Sequence, residues 1–243
     1  MTVVVVGCGY IGCALAGQLA EAGHEVTGVR RSPDGLERVA AIDDSVEAIR
    51  ADATLPATLE SLPDADTVVF AASAGGRGAD VAREVYVEGL RNVLEEYGMR
   101  ADPPDRLVYT SSTGVYGNHD GGWVDETTPI DPTTAKTRVL ATAETVALSE
   151  ATSYGIDGTV ARFAGLYGPD RYRLERYIEG PVTAGYLNMV HRDDAAGAVR
   201  YLLEADVARG EPVVVVDDEP VDKHAFADWL AAECGVDAPP KQS

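Results

Sequence analysis

Lysine is nearly missing from this chain of 243 residues: Lys136, Lys223 and Lys241 are the only three, and arginine carries the rest of the positive charge. Lys and Arg together number 20 against 40 Asp and Glu, for a formal net charge of −20 and a pI near 4.4. Such a chain repels phosphate backbones, so nucleic acid is not expected as a partner. An anionic membrane surface is disfavoured on the same ground. Cysteine is also scarce. Cys8, Cys13 and Cys234 make an odd number without metal-ligand spacing, which excludes a disulfide framework and fits reduced packing thiols in a cytoplasm. His24, His119 and His224 show no ligand spacing either, and no metal site is expected. No run is long and apolar enough to span a membrane. The apolar stretch Met1–Ala22 lacks the basic start of a signal peptide, the first arginine being Arg30. The chain reads as soluble and cytoplasmic.

The carboxylates that are present lie along the whole sequence, as at Asp43-Asp44, Glu95-Glu96 and Asp217-Asp218-Glu219. Dispersed acidity describes a well-solvated surface. A salt-adapted (halophilic) host would account for it, and so would an ordinary acidic cytosolic protein. With 45% hydrophobic residues, the charge does not signal disorder. Apolar β-branched runs alternate with helical periods: strands at Val3–Val6, Glu25–Val29, Val46–Arg50, Thr67–Ala72, Arg106–Ser111 and Gly158–Phe163, helices over Ile11–Ala22, Ala79–Tyr97 and Val139–Ala151. This rhythm predicts an α/β fold, a Rossmann-type doubly wound parallel sheet. After Gly168-Pro169 it loosens into an Arg/Tyr-rich stretch, a helix at Asp193–Glu204, a strand at Pro212–Val216 and a helix at Lys223–Cys234. Residues 1–168 are therefore expected to form the dinucleotide-binding domain, and 169–243 a small C-terminal α/β substrate lobe interleaved with it. Pro239-Pro240 reads as a linker or frayed end.

Gly7-Cys8-Gly9-Tyr10-Ile11-Gly12 is a G-x-G-x-x-G turn directly after a buried strand and opening a helix. Gly7 permits the tight turn, Gly9 lets backbone approach a pyrophosphate, and Gly12 allows close packing of helix on strand. The helix start then offers its free N–H groups to phosphate. Cofactor choice falls to the end of the second strand, where an acid would grip the ribose hydroxyls of NAD. Arg30 stands there, 18 positions past Gly12, followed by Arg31 and Ser32. Two guanidiniums suit a 2′-phosphate, so NADP is expected over NAD. An S-adenosylmethionine site is disfavoured, since that ligand has no phosphate and its ribose calls for an acid.

Further motifs follow in order: Asp52-Ala53, Ala71-Ala72-Ser73, Tyr86-Val87-Glu88-Gly89-Leu90-Arg91-Asn92-Val93-Leu94, Thr110-Ser111-Ser112-Thr113-Gly114-Val115-Tyr116-Gly117, Trp123-Val124-Asp125-Glu126, Arg162-Phe163-Ala164-Gly165-Leu166-Tyr167-Gly168-Pro169 and Asn188-Met189-Val190-His191-Arg192-Asp193-Asp194. Together they resemble the extended short-chain dehydrogenase/reductase superfamily of the NAD-dependent epimerase/dehydratase type, most of all an atypical branch. The resemblance covers nearly the whole chain. It implies that the glycine turn binds pyrophosphate, that Asp52 and Ala53 flank the adenine, and that Ala71, Ala72 and Ser73 line the ribose and phosphate path. It also implies that Ser112, four residues before Tyr116, is the hydroxyl that bonds the reacting oxygen. Long helices at 79–97 and 139–151 resemble those of a four-helix homodimer interface.

One departure stands out. The resembling family carries Tyr-x-x-x-Lys, the Tyr acting as acid/base and the Lys lowering its pKa and holding the nicotinamide ribose; a phenol near pKa 10 needs such a cation to work near neutrality. Lys136 is present, but Pro132 stands four residues before it, and no Tyr occurs between Tyr116 and Tyr154. Three readings stand: Lys136 holds the ribose while Tyr116 or a substrate group handles the proton, Lys136 is a surface lysine, or the site binds cofactor without redox chemistry. The first reading is an NAD(P)-dependent oxidoreductase or epimerase/dehydratase on a nucleotide sugar or similar small molecule. Its rival is a non-catalytic NADP sensor. Arg171, Arg173 and Arg176 would clamp substrate phosphates or form a solvated face; His191 reads as a hydrogen-bonder, and Asp193 or Asp194 as the cap of the following helix. Beside the resembling family the chain is short past Cys234, so its lobe is expected to be minimal or completed by a partner or missing segment.

Overall fold

Four consecutive valines set the centre of the molecule. In a computed structural model, which describes residues 1–75, 78–172 and 174–243, Val3 to Val6 are all buried within strand β1 (Thr2–Val6). Such a run has no polar face and is stable only with both sides covered. Helix α1 (Tyr10–Glu21) follows, then β2 (Glu25–Arg30), α2 (Pro33–Ala40), β3 (Val46–Arg50) and β4 (Thr67–Phe70). Next come α3 (Ala79–Arg83), a wide π turn at Glu84–Glu88, and α4 (Gly89–Gly98), which together make the long helix expected at 79–97. Strand β5 (Arg106–Ser112), helix α5 (Ala135–Thr145) with its own π turn at Val146–Glu150, and β6 (Asp157–Phe163) complete the core. Helix α5 begins four residues before the expected start, because Thr134 and Thr137 form a reciprocal capping box there.

The C-terminal part contributes β7 (Gly165–Tyr167), β8 (Val182–Thr183), β9 (Tyr186–Leu187), β10 (Met189–His191), α6 (Arg192–Glu204), β11 (Pro212–Val215), β12 (Val221–Asp222), α7 (Lys223–Cys234) and β13 (Lys241–Gln242). The main sheet has seven strands in the order β11-β6-β5-β4-β1-β2-β3, and every pairing in it is parallel. The chain leaves β1 in opposite directions toward β2 and toward β4, so the topological switch point lies between β1 and β4. Open α/β sheets bind ligands at that crevice.

Alternation along β1 divides the core. Val4 and Val6 face a layer with Phe70, Leu90, Leu107 and Tyr109; Val3 and Val5 face one with Leu15, Leu19, Val108 and Val199. Helices α3 to α5 cover the first face and α1, α2 and α6 the second. Chain from beyond residue 168 returns to the core: α6 packs against α1 and β11 closes the sheet beside β6.

Two expectations need correction. The segment after Pro239-Pro240 is neither linker nor frayed end, since β13 pairs in parallel with β8 and Val182 N–H donates to Pro240 O at 2.8 Å. The cap of α6 is not Asp193 or Asp194 but His191, whose Nδ1 accepts from Asp193 N–H at 3.3 Å. His191 sits one residue before the helix, where a cap acceptor must be. Among the described residues, no helix is long and apolar enough to cross a membrane.

Candidate functional site

The carboxyl ends of β1 and β4 meet at Gly7. Its φ of +89° suits glycine alone, and a Cβ there would lie 2.2 Å from Ala72 Cα. Backbone thus touches backbone across the switch point: Ala71 N–H donates to Val6 O at 2.8 Å, just past the end of β4. The turn is held to β2 by Gly7 N–H and Cys8 N–H, which both donate to Val29 O, at 3.2 and 3.1 Å. Gly12 lies against the turn, since its Cβ would be 2.8 Å from Gly7 O. The first α1 bond runs from Cys13 N–H to Gly9 O at 2.9 Å, leaving the preceding N–H groups of Tyr10, Ile11 and Gly12 at the helix mouth as anion donors. Ile11 itself is core, so its part in any ligand site is its backbone. A glycine cradle that any side chain would fill, with three N–H groups at its mouth, fits a dinucleotide pyrophosphate.

Arg30 ends β2 and reaches over the cradle: its Nη1 lies 3.1 Å from where a Gly9 Cβ would be. Its Nε is buried without a hydrogen-bond partner among the described residues, which is costly for a cation unless a ligand supplies the acceptor. Arg31 is exposed, with its Nη1 3.8 Å from Asp52 Oδ2. Ser32 caps α2, its Oγ accepting from Gly35 N–H at 3.3 Å. Asp52 Oδ1 accepts from Thr54 N–H and Oγ1 at 3.0 and 2.9 Å, fixing the turn that carries Ala53. Ala53 is buried, its carbonyl accepting from Asn92 Nδ2 at 2.8 Å. Ala72 is half-buried and Ser73 exposed along the β4 exit. The residues expected to bind cofactor are therefore gathered around one crevice.

Ser112 ends β5 on the same sheet edge. It caps the short turn Thr113–Tyr116, accepting from Gly114 N–H at 3.2 Å. The start of α5 packs on this turn: a Gly114 Cβ would lie 3.6 Å from Thr137 Cγ2, and Gly117, at φ +74°, has no room for a Cβ beside Asp131 O. Lys136 is exposed in the first turn of α5 and has no ion-pair partner among the described residues. Asn188, from the other side, donates to Thr113 Oγ1 at 2.8 Å.

Tyr116 is tied into a buried network. It is 2% exposed, and its hydroxyl accepts from Arg162 Nη1 at 2.7 Å. Burial raises its pKa, the Arg162 hydrogen bond only partly opposing this, so it is a poor acid near neutrality. Arg162 in turn holds Glu144, Nη2 to Oε2 at 2.8 Å, and Glu144 Oε1 accepts from Ser111 Oγ at 2.6 Å. This buried chain of Ser111, Glu144, Arg162 and Tyr116 underlies the Ser112 turn. Glu144 was not singled out in the sequence, though a lone acid among Val139, Leu140, Ala143 and Ala147 on one helix face was the available signal.

Tyr10 closes the other end. Its hydroxyl donates to Pro169 O at 3.1 Å, and the guanidiniums of Arg171 and Arg192 lie over its ring at 5.2 and 5.4 Å. His191 packs edge-on to Tyr167, ring centroids 5.2 Å apart. Arg171 borders an open depression of about 690 Å³ with Asp170, Tyr172, Leu174 and Glu175. Arg176 is exposed nearby, and Arg173 lies outside the described residues.

Residues 3–216 match the model of the NAD dependent epimerase/dehydratase family. The chain is 34% identical over 209 residues to Protein YeeZ of Escherichia coli K12, covering 84% of this chain and 73% of that one. It is 27% identical over 167 residues to a UDP-glucose 4-epimerase of Corynebacterium glutamicum, covering 67% and 51%. Among solved structures, a putative NAD-dependent epimerase/dehydratase from Methylobacillus flagellatus superposes with a TM-score of 0.79 at 31% identity, over 100% of this chain and 85% of that one.

Proposed function

Since the chain belongs to the NAD dependent epimerase/dehydratase family, we propose that it is an enzyme of that type that takes NADP in preference to NAD and acts on a nucleotide sugar or a similar small metabolite. The observation that carries this reading is the cradle at Gly7, closed against Ala72 at the switch point. Bound there, the nicotinamide would supply hydride exchange with substrate. The turn and the N–H groups of Tyr10, Ile11 and Gly12 would hold the pyrophosphate, and Arg30 and Arg31 a 2′-phosphate. Asp52 and Ala53 would border the adenine, and Ala71, Ala72 and Ser73 the ribose and phosphate path. Ser112, at a strand's carboxyl end, would orient the reacting oxygen with its hydroxyl.

Lys136 supports a catalytic reading over a surface one. A cation in the first turn of a helix opposes the helix dipole, and here that unfavourable place lies beside the Ser112 turn. Lys136 would hold the nicotinamide ribose, and with Tyr116 occupied by Arg162, the proton would pass to a substrate group. The nucleotide-sugar assignment draws on the likeness to a UDP-glucose 4-epimerase and on Arg171 at the depression. A homodimer through the helices at 79–97 and 139–151 belongs to the same reading, which exposed Val81 on α3 supports.

The non-catalytic sensor is favoured by one observation, Pro132 in the place of an acid-base tyrosine. NADPH and NADH titrations followed by nicotinamide-oxidation assays against nucleotide sugars and simple carbonyl compounds separate the two. The enzyme reading expects turnover that falls at least tenfold in Ser112→Ala, and an NADPH preference that Arg30→Ala removes. Tight binding with no turnover on any substrate, unaltered by Ser112→Ala, would establish the sensor. Equal affinity for both dinucleotides in the parent protein would sink the NADP assignment.

A further inference from the structure

Two of the three cysteines meet inside the phosphate-binding turn. Gly9 is the N-cap of α1, so Cys8 occupies the position just before the cap and Cys13 the fourth helical position. Side chains at these two places pack on each other by helix geometry. In most helices the pair is apolar and merely staples the entry of the chain. Here both are thiols, with Sγ atoms 3.8 Å apart, and both are reduced. Gly28 on β2 makes the space, since a Cβ there would come within 3.1 Å of Cys8 Sγ.

We propose that Cys8 and Cys13 are a modification site: a peroxide oxidises the pair to a disulfide, and that bond turns off dinucleotide binding at the Gly7–Gly12 turn. The thiols differ in character. Cys8 is buried and donates its S–H to Cys13, which raises its own pKa. Cys13 is half-buried, and its pKa is lowered to about 7, first by the Cys8 hydrogen bond and then by the charges of Arg30, Arg38 and Arg192. Cys13, the more accessible thiol, whose S–H rests on Cys8 O at 3.0 Å until it ionises, is the nucleophile, and the buried Cys8 the resolving thiol. In the first step the Cys13 thiolate attacks one peroxide oxygen, the O–O bond breaks, and Cys13 sulfenic acid and hydroxide form. In the second, Cys8 sulfur attacks the sulfenic sulfur, the S–O bond breaks, and water leaves with the Cys8 proton. Overall two thiols and one hydrogen peroxide give one disulfide and two waters.

The consequence for the ligand follows from position. A disulfide needs its sulfurs about 2.05 Å apart, so the pair must close by roughly 1.8 Å. The atoms spanned by that movement are the backbone of Gly9 to Gly12, which carries the free N–H groups of Tyr10, Ile11 and Gly12 at the helix mouth. Arg30 is drawn in as well, because it lies over Gly9 and stabilises the Cys13 thiolate, a charge that oxidation removes. The loss of ligand affinity rests on the dinucleotide reading above, whereas the disulfide itself does not.

The test uses the reduced full chain, freed of reductant and treated with hydrogen peroxide. Both cysteines fall in the tryptic peptide 1–30, because the first arginine is Arg30 and no lysine precedes it. The expected product is that peptide lighter by two hydrogens, with free thiols falling from three to one. Cys8→Ser and Cys13→Ser abolish the mass loss and Cys234→Ser preserves it. NADPH titration is expected to show at least tenfold weaker binding after oxidation, restored by dithiothreitol. Peptide 1–30 keeping both hydrogens, or Cys13 passing to sulfinic acid without the crosslink, would overturn the proposal. So would a crosslinked protein that binds NADPH as tightly as the reduced one. If the reduced protein binds neither nicotinamide dinucleotide, the dinucleotide reading and the control of binding fall, while the mass of peptide 1–30 still decides the thiol pair.

Discussion

A methyl group at Gly7 would meet backbone, not a side chain that could step aside: Ala72 Cα at 2.2 Å, Ala72 N at 2.3 Å and Ala71 C at 2.7 Å. The φ of +89° adds strain of about 1–2 kcal/mol for any L side chain. Relief requires β1 and β4 to part at the switch point, where Ala71 N–H holds Val6 O. Gly7→Ala is therefore expected to cost about 2 kcal/mol or more in urea unfolding and to abolish NADPH binding. Gly23 is the control. It also has positive φ, at +83°, but a Cβ there meets nothing within 4 Å, so Gly23→Ala bears only the backbone strain and leaves the cradle intact. Equal losses of stability and binding in the two variants would refute the role given to close approach at Gly7.

At the scale of elements, β5, β6 and α5 are joined by a buried ion pair. Glu144 and Arg162 have 4% and 7% exposed side chains, and Ser111 and Tyr116 occupy their remaining polar atoms. Removing one charge from such a pair leaves the other buried and uncompensated, a cost of about 3–5 kcal/mol. Glu144→Gln is expected to lose about that much in urea unfolding, whereas Glu144→Leu with Arg162→Leu loses less than the single change, because an apolar pair carries no desolvation debt. A loss below about 1 kcal/mol for Glu144→Gln would mean that water reaches the pair. This network also marks how far the elements were legible in the sequence. The valine run, the G-x-G-x-x-G turn and the alternation of strand and helix led directly to β1, α1 and the parallel sheet, because period and glycine chemistry are local. The hydrogen bond of Tyr116 was not legible, since its partner Arg162 lies 46 positions away and no local pattern states a contact between elements so far apart. The β13–β8 pairing was missed for the same reason: Pro239-Pro240 is a local signal for chain exit, overridden by backbone bonds made at long range. The start of α5, which carries Lys136, lies four residues earlier than apolar period alone indicated, because the Thr134–Thr137 capping box is a side-chain signal and not a periodic one.

At the scale of the molecule, the charge of −20 acts on folding and on ligand binding with opposite signs of salt dependence. Self-repulsion among dispersed carboxylates disfavours the compact state. Most ion pairs that oppose it are exposed, such as Arg91 with Glu150 at about 40% on each side, and contribute about 0–1 kcal/mol each; the buried Arg162–Glu144 pair is screened little. Adding sodium chloride from about 0.01 M to 1 M shortens the screening length from about 30 to 3 Å, which removes more repulsion than attraction. Tm is therefore expected to rise with salt, by about 2–4 °C for each kcal/mol gained. NADP binding, as proposed above, is expected to behave in reverse. There Arg30 and Arg31 would hold the 2′-phosphate against the field of the whole molecule, and short-range attraction to Arg31, which is 61% exposed, would be screened along with everything else. Within the proposed site the two arginines would lie nearer to the 2′-phosphate than most carboxylates do, so screening is expected to weaken attraction more than repulsion. Calorimetric scans and NADPH titrations over the same salt series are expected to show Tm rising while affinity falls. The fall in affinity should shrink in Arg31→Ala, which leaves fewer charges to screen. A flat or falling Tm would show that the acidic surface is already neutralised by its own ion pairs, and an affinity that rises with salt would show that the global field outweighs the two arginines at their own site.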